Sequence, residues 1–98
     1  MKILALEQDV PGVTGAQFAP HLRDEARRAW ELHQAGVIRE LYFRQDRHSA
    51  VLVLECADMD EARRALATLP LVREGLITFD LIPLVAYPGF ARLFADTP

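Results

Sequence analysis

Lysine is almost missing from this chain: Lys2 is the only one, and the other ten basic side chains are arginines scattered among acidic neighbours. With a net charge of −3 there is no clustered positive surface to neutralise phosphates, so neither nucleic acid nor an anionic membrane is an expected partner. Cysteine is equally scarce. Cys56 alone cannot close an internal disulfide, and no CxxC or Cys/His spacing is present to hold zinc, so no metal site is expected. No apolar run approaches the roughly 18 residues that would span a bilayer, and the opening stretch Met1–Glu7 is too short for a secretion signal. The expectation is a cytoplasmic protein.

What is abundant is apolar surface. The chain has 98 residues, enough for one domain and no second, and 51% of them are hydrophobic. That share sits at the top of the usual range of about 45–50%, which leaves apolar surface for a partner subunit.

The pattern along the chain alternates between two periods. Ile3 to Gln8 reads as a strand ended by the turn formers Asp9-Val10-Pro11-Gly12. From Ala16 to Ala35 the spacing of Phe18, Leu22, Ala26, Ala29 and Leu32/His33 follows the helical period, with Pro20 in the tolerated first turn and Gly36 as the C′ residue. Val37–Arg44 and Ala50–Glu55 form a hairpin about the polar loop Gln45–Ser49. Asp58 and Glu61 mark the start of a second helix, Met59 to about Leu69, which Pro70 ends. A last strand runs from Ile77 to about Leu84, and beyond it the spacing of Phe90, Leu93 and Phe94 suggests a short helical turn or an arm, within the tail 87–98, that docks on a partner.

The order β-α-β-β-α-β predicts an α+β, ferredoxin-like domain: a four-stranded antiparallel sheet with both helices on one face. Its strands are apolar on both sides, as in Ile3/Ala5 beside Leu4/Leu6 and Val51/Val53 beside Leu52/Leu54. A solvated face would alternate with polar residues. The expected cover for the second face is another copy of the chain, in a homodimer or higher homo-oligomer whose facing sheets enclose a cavity.

Several residues add a resemblance to this fold. Asp24-Glu25 in the first helix, Gly36 followed by Arg39, Leu41 and Tyr42, Glu55 ending the third strand, Leu69-Pro70-Leu71 and Tyr87-Pro88 together make the chain, over most of residues 2–90, resemble the muconolactone isomerase family of dimeric α+β barrels. The resemblance implies a proton-moving isomerase of lactones that uses neither metal nor cofactor and assembles into rings of subunits.

A 1,3-proton shift beside a carbonyl needs a base that returns the proton and a cation or donor for the enolate. Glu7 and Glu55 interrupt apolar alternation at strand ends, and with Arg39 and Tyr42 they form the candidate catalytic set; the alternatives are solvated strand ends and an ion pair of Arg39 with Glu40 or Glu55. His21 and Glu25, four apart on one helix face, and Phe79 are candidates for substrate contact, although the first two could equally form a surface pair. His33 reads as a packed core histidine, His48 as a solvent-exposed loop residue and Trp30 as a seal at the core edge. Two function classes stay open: a small cofactor-independent enzyme of an aromatic-degradation type, or a non-catalytic oligomeric module binding an apolar small molecule. A cofactor-free monooxygenase is a third.

Overall fold

The computed structural model describes residues 1–95. Four strands, β1 (Lys2–Asp9), β2 (Ile38–Phe43), β3 (Ala50–Glu55) and β4 (Ile77–Leu84), form one antiparallel sheet in the order β2-β3-β1-β4. The last strand therefore lies beside the first, as the βαββαβ order requires. Of the expected 87–98 tail, positions 96–98 lie outside the described residues.

The first helical segment is not continuous. It is built as α1 (Gly15–Phe18), a 3₁₀ turn at Ala19–His21 and then α2 (Leu22–Gln34). Pro20 lies within the 3₁₀ turn, where its missing N–H and fixed φ are accommodated but a straight α-helix through Ala16–Leu22 is not. α2 ends in a Schellman motif: Val37 N–H donates to Leu32 O and Gly36 N–H to His33 O, both at 3.0 Å, with Gly36 at φ +79°.

The second helix is shorter than its periodicity suggests. α3 covers Met59–Leu66, and Pro70 does not end it but opens a further short helix, α4 (Pro70–Arg73), at the position where a proline is preorganised. The Asp58 cap forms as expected, its Oδ1 accepting from Glu61 N–H at 2.8 Å, while the Glu61 carboxylate reaches back to Ala57 N–H.

Strand register decides which residues share a face. Ile3 pairs with Leu54 and Ala5 with Leu52, and these four are buried under the helices with Ile38, Leu32, Ala62, Leu66 and Leu69. Leu4, Leu6, Val51 and Val53 project from the opposite face, half-buried in the single chain. Burial of each large aliphatic chain contributes roughly 1.5–3 kcal/mol. The pairing of β2 with β3 slips between Ile38 and Glu40, so Arg39 is the extra residue of a β-bulge. The slip puts Leu41 and Phe43 on the helix-covered face with Ile38, and Glu40 and Tyr42 on the other.

After β4 the chain leaves the body of the domain through a 3₁₀ turn at Gly89–Leu93, with Tyr87 and Phe90 edge-to-face at 5.1 Å and the side chains of Val85, Tyr87, Phe90, Leu93 and Phe94 exposed. Among the described residues no helix is long and apolar enough to cross a membrane.

Leu54 sits fully buried at the centre of the covered face. Replacing it, Leu54→Ala, is expected to cost about 2–5 kcal/mol in chemical denaturation, the range for a core leucine that leaves a cavity; a loss under about 1 kcal/mol would show that this face is not the structural core.

Candidate active site

The main cavity lies between α2 and the sheet, on the helix-covered face. It occupies about 730 Å³, and its walls are mostly apolar. It is separate from the cavity expected between the facing sheets of two copies. It is left open because α2 rests on the sheet only near its C-terminal end: Leu32 is its only buried residue, while Leu22, Ala26 and Trp30 line the space instead of filling it.

The floor is one row across the four strands. Phe43 on β2 stands opposite Ala50 on β3, Ala50 N–H donates to Glu7 Oε1 at 3.0 Å, and Glu7 on β1 is paired with Phe79 on β4. All four line the cavity. Small Ala50 leaves depth between two aromatic rings, and Glu7 places a carboxylate in it whose second oxygen has no hydrogen-bond partner among the described residues. His48 is exposed, as expected of the hairpin loop, and it also borders the cavity, stacking on Phe43 with ring centroids 4.3 Å apart.

Glu25 enters from the roof. It lies in the first turn of α2, and its Oε1 accepts from Leu71 N–H at 2.8 Å, a donor at the start of α4. The expected His21–Glu25 pair is not hydrogen-bonded; His21 occupies the N-cap position of α2 without a side-chain cap and does not line the cavity, although its charge is felt by Glu25. Burial pushes the Glu25 carboxyl above the usual carboxylate range. The Leu71 bond opposes the shift, the charge of Glu7 adds to it, and Arg73 and His21 oppose it.

Arg39 lines the same cavity from the bulge of β2, four residues or roughly 13 Å along the strand from Phe43. Its Nε donates to Gly36 O at 2.8 Å, and a Cβ on Gly36 would meet the guanidinium at 3.8 Å, so the helix-ending glycine also seats this side chain. Among the described residues Arg39 is in no ion pair, which removes the expected pairing with Glu40 or Glu55. Beside it is His33, exposed to the cavity instead of packed in the core. Its Nδ1 lies 2.9 Å from Ile38 O, and since a carbonyl only accepts, Nδ1 is the donor in this contact. Trp30 is tilted against it at 5.8 Å and is a cavity wall, not a seal.

Of the predicted catalytic set, Glu55 does not line this cavity, and Tyr42 lines it with its hydroxyl engaged elsewhere. Glu55 is on the outer face at the far end of β3, bound to the Met1 amine at 2.6 Å, and that hydrogen bond holds its carboxyl below the ordinary value. Tyr42 borders the cavity along β2, but its register with Val51 belongs to the outer face and its hydroxyl donates to Glu40 Oε1 at 2.8 Å. Glu7, Glu25, Arg39 and Phe79 are brought together. The residues that sequence reasoning missed are Phe43, His48, His33 and Trp30. Only His33 carried a signal, a polar ring inside an apolar helix stripe.

Chemically, the cavity offers the carboxyl groups of Glu7 and Glu25 from opposite walls, with Asp9 and Glu40 also in its lining, aromatic flanks suited to a flat ring, and a cation at the other end. The family model described as muconolactone delta-isomerase matches residues 6–89. Among solved structures, the crystal structure of a muconolactone isomerase is similar with a TM-score of 0.74 at 19% identity, over 90% of this chain and 92% of that one. A 5-chloro-2-hydroxyhydroquinone dehydrochlorinase from Burkholderia phenoliruptrix AC1100, solved with 2,5-dihydroxybenzoquinone, is similar with a TM-score of 0.64 at 16% identity, over 91% and 98% of the two chains. No curated protein matches in sequence.

A raised Glu25 pKa has a consequence for stability. A folded state that holds the proton more tightly than the unfolded chain gains stability that is complete below the unfolded pKa and is lost as pH rises through the folded one. The isosteric Glu25→Gln escapes that loss. Its melting temperature relative to the parent is expected to climb as pH goes from acid to neutral; a pH-independent difference would contradict the burial of this carboxyl.

Proposed function

The chain belongs to the muconolactone delta-isomerase family, and from that premise we propose that it is a cofactor-independent enzyme that shifts a proton within a lactone or a related intermediate of aromatic-compound breakdown. The observation that carries the reading is the cavity itself, in which Glu7 and Glu25 face a ring-sized apolar space from opposite walls and Arg39 stands at the other end.

Glu7 is the proton carrier. Its Oε1 is oriented by Ala50 N–H, and the second oxygen takes a proton from the γ carbon of an α,β-unsaturated lactone. The C–H pair forms a β,γ double bond while the α,β pair moves toward the carbonyl to give a dienolate, and the same carboxyl returns the proton to the α carbon, so the alkene has moved one bond and the carboxylate is restored. Arg39 holds an anionic end of the substrate, while Phe79 and Phe43 confine its ring, a reading supported by the presence of all three in the cavity lining. Glu55 and Tyr42, on the other face, take no part in the step.

The exposed aromatic arm and the apolar outer face fit assembly. In this reading the outer face, with Leu4, Leu6, Val51, Val53, Ile82 and Leu84, is covered by a second copy in a homodimer or larger ring, and Phe90, Leu93 and Phe94 dock on a neighbouring subunit. Sedimentation is expected to show a multimer that weakens when residues 87–98 are deleted. A stable monomer in the parent protein would contradict the assembly.

The activity is tested by following ultraviolet absorbance of muconolactone with purified protein. Turnover is expected, with Glu7→Gln reducing kcat by about 10²–10⁴ and Arg39→Ala acting mainly through a higher KM. Saturable binding without turnover would replace the enzyme reading by that of a binding module.

A further inference from the structure

We propose that His33 and Arg39 together form a carboxylate clamp at the end of the cavity away from Glu7, and that the site thereby selects ring compounds bearing a free carboxylate over their esters and amides. The inference rests on the reading of the cavity as a substrate site, and it gives Arg39 a second, proton-dependent partner for the anionic end of the ligand.

The connection from α2 to β2 positions both side chains. His33 is in the last turn of α2 and Arg39 is the bulge residue of β2, and each is held by a main-chain carbonyl of the segment between them. His33 Nδ1 lies 2.9 Å from Ile38 O, and Arg39 Nε donates to Gly36 O at 2.8 Å. The Schellman bonds of Gly36 and Val37 lock the same segment, so the two groups are set relative to one another before a ligand arrives. Each anchor uses one nitrogen. The imidazole Nε2 and the guanidinium Nη1 and Nη2 are left without a hydrogen-bond partner among the described residues, on two side chains that both line the cavity. Trp30, tilted against His33 at 5.8 Å, adds an apolar wall beside them. Both His33 and Arg39 are exposed, so the ring exchanges protons with water and a carboxylate reaches the pair without full dehydration.

A carboxylate suits this pair. The guanidinium presents N–H donors to its oxygens, and an imidazole whose Nδ1 proton is committed to Ile38 O adds a further donor only through Nε2–H, that is, as the imidazolium. A neutral ring with its proton on Nδ1 turns a lone pair toward the anion instead. At a pH where the free ring is neutral, one proton therefore passes from solvent to Nε2 as the carboxylate is seated, and leaves with it. The other charged and titratable groups of the cavity are Glu7 and Asp9 from β1, Glu25 from α2, Glu40 from β2 and His48 from the hairpin. Glu7, Glu25 and Glu40 accept from Ala50 N–H, Leu71 N–H and the Tyr42 hydroxyl, and among the described residues none of the four carboxyl groups is bonded to His33 or Arg39. Glu55 feels the charge of Arg39 but is bound to the Met1 amine. The carboxylates repel an anion from the rest of the space and direct it to the His33–Arg39 end.

Phenylacetate and phenylacetamide, the same ring with and without the charge, separate the clamp from simple packing. Calorimetry on the full-length parent protein is expected to show phenylacetate binding at about pH 6, at least about tenfold tighter than phenylacetamide, and weakening as pH rises through the ordinary imidazole range to about pH 8. Buffers of different ionisation enthalpy are expected to reveal proton uptake at the higher pH. In His33→Gln, whose amide still donates to Ile38 O, phenylacetate is expected to lose about tenfold in affinity at about pH 6, and the pH dependence and proton uptake to vanish, with phenylacetamide binding unchanged. Arg39→Gln is expected to weaken phenylacetate by about 10–100-fold. Equal affinity of the parent for the two compounds, no binding of phenylacetate, or a His33→Gln protein that keeps the pH dependence of the parent would overturn the clamp; the first two need no variant to fold. Parent protein that binds phenylacetate with proton uptake yet leaves muconolactone unchanged would overturn the enzyme reading and support the clamp.

Discussion

Helix α2 is held to the sheet at one end and to its neighbour along one side, and the cavity exists because of that arrangement. Leu32 anchors the C-terminal turn in the core, with Ala29 packed against it. Farther toward the N-terminus the contacts are lateral: Arg28 Nε donates to Thr68 Oγ1 at 2.8 Å and Glu25 accepts from Leu71 N–H at the same distance. Both partners belong to the connection that follows α3. An amphipathic helix normally presses its whole apolar stripe onto a sheet, and here Leu22, Ala26 and Trp30 are kept off it. The Leu69-Pro70-Leu71 segment thus does more than close a helix. Pro70 starts α4 and places the Leu71 amide where it orients a carboxyl in the cavity roof.

The bulge at Arg39 is the second constraint. One extra residue reverses the alternation of β2, so that Leu41 and Phe43 face the helices and Tyr42 turns outward. The same residue carries the guanidinium at the cation end of the cavity, seated on the glycine that ends α2. A local irregularity in one edge strand therefore sets both the aromatic flank and the charge at the opposite end of the site.

Much of this architecture is legible in the residues. The strands, the Asp58 cap, Gly36 at the helix end and the closing of the sheet by β4 beside β1 all follow from period and turn chemistry, and the family resemblance is shown by the match over residues 6–89. Segment ends were less legible: a 3₁₀ turn at Pro20 and a new helix at Pro70 depend on how neighbouring turns are satisfied in space. Of the residues that line the cavity, Glu7, Glu25, Arg39, Tyr42 and Phe79 were singled out from residue type and position. Glu55 was grouped with them because alternation along a strand does not say which face of one strand joins which face of the next. Pairing of Ile3 with Leu54, instead of with a valine, separates Glu7 from Glu55. Phe43, His48 and Trp30 became visible only once the helix was seen to stand off the sheet.

The central claim is that small molecules are handled on the helix-covered face and not between outer sheet faces. Amide and indole NMR spectra recorded while muconolactone is titrated into the protein test it directly, since the single tryptophan, Trp30, is a wall of the cavity. The account predicts saturable shifts at the Trp30 indole, Glu7, Ala50 and Leu71. Shifts confined to Leu4, Leu6, Val51 and Val53 would contradict it.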